Sequence, residues 1–96
     1  MTLEELRNQI DTLDSQLVVL LNKRAASAKQ IGQIKAQSDA PVYEPNREKQ
    51  IYARLCSLNE GPLPDIELTH IFERIIDVMR ALQKNELASQ RNAQTK

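Results

Sequence analysis

The chain of 96 residues holds a single cysteine, Cys56, so no disulfide framework can form within it and a reducing compartment is expected. Two glycines and four prolines are its only strong punctuators, and only Tyr43, Tyr52 and Phe72 are aromatic. Turn-rich β architectures use more of these residues. Many Leu, Ile, Ala, Gln, Glu, Lys and Arg point instead to an all-α fold. The one histidine, His70, has no cysteine at ligand spacing, so nothing reads as a metal site. A glycine-rich phosphate loop is absent, and so is any Ser–His or Cys–His nucleophile arrangement. No apolar run reaches the length of a bilayer span, and no basic segment followed by an apolar run marks a leader. Thirteen basic residues balance thirteen acidic ones, which argues against a nucleic-acid protein with its basic stripe. The expectation is a soluble, cytoplasmic protein of one domain, residues 1–96.

What the chain does have is one long stretch, Leu3 to Lys35, without proline and with Gly32 as its only glycine. Its apolar residues, Leu3, Leu6, Ile10, Leu13, Leu17, Leu20, Ile31 and Ile34, recur in alternating steps of three and four. That spacing lays one seam along a helix. Continued through the gap, the count lands on Arg24 and Ser27, so the seam turns polar in the middle. Lys35 lies about 20° round the helix from Arg24 and shares its face. Two long cations on a buried face need an anion to offset their desolvation. A helix of this length spans roughly 50 Å, more than the rest of one chain can cover. An intertwined homodimer is therefore expected, its long helices antiparallel.

In chain order, Thr2 and Glu5 form a capping box that starts the first helix almost at the N-terminus. The helix fades between Lys35 and Asp39, and SDAPVYEP connects it to a second, about Asn46 to Leu58, with Pro45 in its first turn. Ile51, Leu55 and Leu58 make the apolar stripe of that helix. NEGPLP breaks the chain again, and Asp65 caps a third helix running to about Ala88. Leu68, Ile71, Phe72, Ile75, Met79 and Leu82 supply its face, with Gln83 at the edge. Residues 89–96 read as a polar tail or linker. The candidate polar set is Arg7, Arg24, Lys35, Arg47, Glu48 and Gln83. Arg7 lies about 25 Å along the axis from Arg24, so one small ligand touches both only if Arg7 comes from the partner of an antiparallel pair. Fixed cations with one carboxylate and one amide suit a small polyanion whose charge redistributes in a transition state.

The segments LRNQIDTLDSQLVVLLNKRAASAKQIGQIK, PVYEPNREKQI and IFERIIDVMRALQ, in that order and spacing, resemble the all-helical chorismate mutases over roughly Leu3 to Gln83. The resemblance implies three helices per chain, one very long and two shorter, in an intertwined homodimer. It implies the rearrangement of chorismate to prephenate, a [3,3] shift without cofactor or metal, in phenylalanine and tyrosine biosynthesis. Arg24 and the partner's Arg7 would grip the two carboxylates, for which the planar guanidinium fork is suited. Lys35 and Gln83 would donate to the ether oxygen. Glu48 would accept from the ring hydroxyl, with backbone near Glu44 helping, and Arg47 would support the carboxylate end or Glu48. Lys35, Gln83 and Arg24 are thus the expected catalytic residues.

Two positions depart from the family pattern. Met79 stands where serine is common, which removes a hydroxyl donor to a substrate carboxylate. Glu44 stands where aspartate is usual. Two other readings stay open: a pyruvate lyase acting on isochorismate, which shares this fold, and a helical dimerisation or regulatory module without catalysis. Family members are often fused to a downstream prephenate dehydratase or dehydrogenase, and the polar tail is compatible with such a fusion.

Overall fold

The computed structural model describes residues 1–94, with backbone alone from Arg91 to Gln94. Helices α1 (Leu3–Ala36), α2 (Pro45–Leu58) and α3 (Asp65–Gln94) account for most of it. The all-α, three-helix reading is borne out.

Local chemistry explains the boundaries. Thr2 is extended, and its Oγ1 accepts the Glu5 amide at 3.1 Å, satisfying one of the donors a helix start leaves free. Glu4 and Glu5 in the first turn and Lys35 in the last complement the helix dipole. Pro45 opens α2, where its missing N–H costs nothing. Asp65 is not the cap of α3 but its first residue. The Leu68 amide donates to the Pro64 carbonyl at 3.0 Å, while Asp65 Oδ1 accepts from Asn59 Nδ2 at 2.6 Å, tying the helix to the preceding connection. Gly61 in that connection has φ +77°, a conformation that favours glycine. With no proline or glycine after Pro64, α3 runs on to Gln94, past the expected end near Ala88. The expected tail is therefore helical as far as Gln94, and Thr95 and Lys96 lie outside the described residues.

Helix α3 is the element on which both others pack. Gly32 sets the closest approach. A Cβ there would stand 3.0 Å from the Gln83 Cα and the Glu86 Cβ and 3.1 Å from the Gln83 carbonyl oxygen, so any larger residue requires α3 to give by a few tenths of an ångström. Ala28, Ile76 and Met79 are buried at this crossing, together with Lys35. Within the protomer the expected apolar stripes are covered only in part. Ile71 and Leu58 are exposed within the protomer, and Ile76, outside the expected face, is buried with Met79. The Phe72, Ile76, Met79 and Gln83 row faces inward; the Ile71, Ile75, Val78 and Leu82 row lies about 100° away.

Before Leu21, α1 runs clear of the other helices. Leu3, Leu6, Ile10, Leu13, Leu17 and Leu20 are all exposed. The chain measures 60 × 26 × 15 Å with a radius of gyration of 17.1 Å, against about 12 Å for a compact chain of this length. Among the described residues no helix is long and apolar enough to cross a membrane.

Candidate active site

A cavity of about 310 Å³ opens where the second half of α1 meets α2 and α3. Helix α1 contributes Arg24 and Lys35, the α1–α2 connection Glu44, α2 Arg47 and Glu48, and α3 Met79 and Gln83. Every expected site residue of the chain except Arg7 is on its wall. Arg7 is exposed near the far end of α1 and does not line the cavity. Helical spacing explains the convergence: Arg24, Ser27, Ala28, Ile31 and Lys35 recur at intervals close to one turn of α1 and face the same space.

Lys35 is the centre of the arrangement. It is only 7% exposed. Its Nζ donates to Gln83 Oε1 at 3.1 Å and to the Val42 carbonyl at 3.4 Å, and pairs with Glu44 Oε1 at 3.2 Å. Those three acceptors match the three N–H bonds of an ammonium, which offsets the cost of burying it. The contact also orients Gln83. An ammonium has nothing with which to accept, so the amide must turn its oxygen to Lys35, which leaves its NH₂ for something else. The side chain of Glu44 therefore reaches the site, beyond the backbone contribution expected there.

Glu48 is held by a residue absent from the sequence-derived set, Arg80. Arg80 Nη2 donates to Glu48 Oε2 at 2.6 Å, and Nη1 to Asp77 Oδ1 at 3.2 Å. The guanidinium lies over the Tyr43 ring, 5.0 Å from its centroid. The hydrogen bond it donates to Glu48, above all, holds the Arg80 guanidinium above its ordinary value and so firmly charged. Arg80 lines the cavity between Met79 and Gln83. Its place three residues before Gln83 was the available signal. Met79 is buried in the cavity wall and offers no hydroxyl.

Four cations (Arg24, Lys35, Arg47, Arg80) and two carboxylates (Glu44, Glu48) line the space, a net charge of +2. Lys35 is paired with Glu44, and Arg80 with Glu48 and Asp77. Among the described residues Arg24 and Arg47 have no ion pair. What remains for a ligand is two guanidinium groups, the Gln83 amide hydrogens and the Glu48 oxygen that Arg80 leaves unused. That set accommodates a small dianion carrying a hydroxyl.

Comparisons with known proteins identify the family of the chain. The family model for type II chorismate mutases matches residues 6–84. The chorismate mutase of Methanocaldococcus jannaschii is 35% identical over 95 residues, 98% of this chain and 96% of that protein. The bifunctional chorismate mutase/prephenate dehydratase of Aquifex aeolicus is 40% identical over 86 residues, 85% of this chain but 24% of that protein. The chain thus spans about a quarter of the length of such bifunctional relatives. Among solved structures, the Helicobacter pylori chorismate mutase in complex with prephenate superposes with a TM-score of 0.81 at 38% identity, covering 90% of this chain and 93% of that one. A chorismate mutase from Thermus thermophilus superposes with a TM-score of 0.82 at 28% identity, covering 84% and 92%. With the match extending over all three helices and the cavity between them, the chain belongs to the type II chorismate mutase family.

Proposed function

We propose that the chain converts chorismate to prephenate by a [3,3] rearrangement, in the supply of phenylalanine and tyrosine. The observation that carries this reading is the buried Lys35 ammonium beside the Gln83 amide on the wall of a cavity of net charge +2. Chorismate is a dianion of two carboxylates with a ring hydroxyl. In the reaction its ether C–O bond breaks as a C–C bond forms within the same molecule, and negative charge grows on the ether oxygen. Lys35 and the Gln83 NH₂ donate to that oxygen, an interaction that strengthens toward the transition state and so accelerates the step. Glu44 holds one Lys35 N–H. Its side chain is 41% exposed, and it yields that hydrogen to the ether oxygen. Glu48 accepts from the ring hydroxyl. Arg24 takes a carboxylate, with Arg47 at the same charged end, which favours the conformer that reacts. Met79 contributes apolar surface where a hydroxyl would otherwise donate.

The active species is a homodimer with Arg7 supplied across the interface. The exposed apolar seam of α1 and the 60 Å extent of the protomer support this. Two-fold symmetry then gives two equivalent sites. We place the enzyme in the cytoplasm, as a domain of about residues 1–96 that is also suited to fusion with a prephenate-processing domain.

The test is loss of chorismate absorbance on adding purified protein, with the product identified as prephenate. A saturable rate at low enzyme concentration is expected. Inertness toward chorismate with release of pyruvate and salicylate from isochorismate would assign the lyase reaction instead, and inertness toward both would leave a binding module.

A further inference from the structure

We infer that Arg80 is a positioning residue for Glu48: it sets where that carboxylate stands and keeps its charge away from the cations that receive the substrate. The inference rests on the reaction proposed above. Glu48 belongs to α2, a helix with no fully buried residue, so packing alone holds it loosely. The contact that reaches it from α3 is the charge-assisted hydrogen bond of 2.6 Å from Arg80, between side chains 22% and 18% exposed. A bond of that kind is short and directional, and a largely desolvated one fixes the position of both partners.

The geometry of Arg80 is over-determined. Asp77 holds Nη1, the Tyr43 ring lies against the guanidinium face, and Nε is buried with no hydrogen-bond partner. A buried N–H left unsatisfied is unfavourable, so the group stays there because its other contacts outweigh that loss. Through Tyr43 the same side chain also fixes the connection between α1 and α2, which carries the Val42 and Glu44 partners of Lys35.

One carboxylate oxygen, Oε2, is occupied by Arg80, while no hydrogen bond among the described residues uses Oε1. That is the division of labour a hydroxyl acceptor needs. Without Arg80 the Glu48 carboxylate would be drawn to Arg24 or Arg47, which line the same cavity, and would cancel charge that the dianion requires. Arg80 is neutralised by Glu48 and Asp77, so it acts through Glu48 and not as a ligand of substrate carboxylate.

The experiment is a double-mutant cycle of Arg80→Met and Glu48→Gln, read as kcat and KM for chorismate and as amide hydrogen exchange along α2. Arg80→Met is expected to lower kcat/KM by about 10- to 100-fold in the parent and by less than about 3-fold in the Glu48→Gln background. Exchange in α2 rises in each single variant and no further in the double. Arg80→Lys keeps the charge, recovers part of the loss in the parent only, and serves if Arg80→Met does not fold. Equal losses in both backgrounds, or none in the parent, overturn the inference. If the parent itself leaves chorismate unchanged, the proposed reaction fails, while the exchange cycle still decides whether Arg80 positions Glu48.

Discussion

Gly32 on α1 and Gln83 on α3 are in backbone contact, and that contact brings Gln83 Oε1 to 3.1 Å from Lys35 Nζ. The proposed donor pair thus depends on a residue with no side chain. Lys35 lies one turn after Gly32, so whatever separates the helices at Gly32 separates the two donors as well.

Replacing Gly32 by alanine tests this relationship. Alanine favours the helix by about 1 kcal/mol. Its Cβ, however, would press on the Gln83 backbone, which is not the end of a flexible side chain and can give only if α3 shifts. Overpacking of that kind costs about 1–3 kcal/mol. The expected outcome is a net loss of about 1 kcal/mol, seen as a fall of a few degrees in Tm, with kcat reduced by about 10-fold or more as the donors separate. A variant of undiminished kcat would show that the α1–α3 spacing is not critical.

Lys35→Ala removes a preorganised donor to developing charge. Turnover should fall by about 10² or more, with oligomeric state unchanged by light scattering. Near-full activity would rule out the electrostatic mechanism.

The shared site is tested by mixing Arg7→Ala chains with Lys35→Ala chains. Each homodimer is nearly inactive. In a mixed dimer one site receives Lys35 from one chain and Arg7 from the other and is intact, while its twin lacks both. Random exchange makes half the dimers mixed, so specific activity should return to about a quarter of the parent value. No return on mixing would mean that both residues act within one chain.

Tyr52 supplies a pH dependence of stability. Its phenol is held above its ordinary value of 10.0, chiefly by burial and then by Glu48, Glu73 and Asp77, with Arg80 opposing. A folded value above the unfolded one favours the neutral form in the fold. The stabilisation is complete below the unfolded value and is lost as pH rises through the folded one. Thermal stability should therefore drop above about pH 10, and Tyr52→Phe should remove that part of the drop. An identical alkaline profile in the variant would exclude Tyr52 as its source.

Much of this molecule was readable from residue spacing. The apolar rhythm from Leu3 to Ile34, the Thr2 cap and Pro45 locate the helices because each acts within a turn or two of its own position. Arg24 and Lys35 share a face for the same reason. The row choice on α3 was not readable. Ile75 and Ile76 are both isoleucine, and which one faces inward depends on the angle at which α3 meets its neighbours. Arg80 escaped for a related reason. A charge beside an apolar row is by default a solvated one, and its partner, Glu48, lies 32 residues away on another helix.

Local periodicity and charge were enough to dictate that the chain is helical, where its helices begin, and that cations interrupt the apolar seam. The burial of Lys35 against Gln83 and the grip of Arg80 on Glu48 came only with the packed helices. So did the fact that, among the described residues, Arg24 and Arg47 are left without ion pairs. Pairing among charges depends on distances of a few ångströms between residues far apart in the chain. Those distances are set where backbones meet, at Gly32 above all.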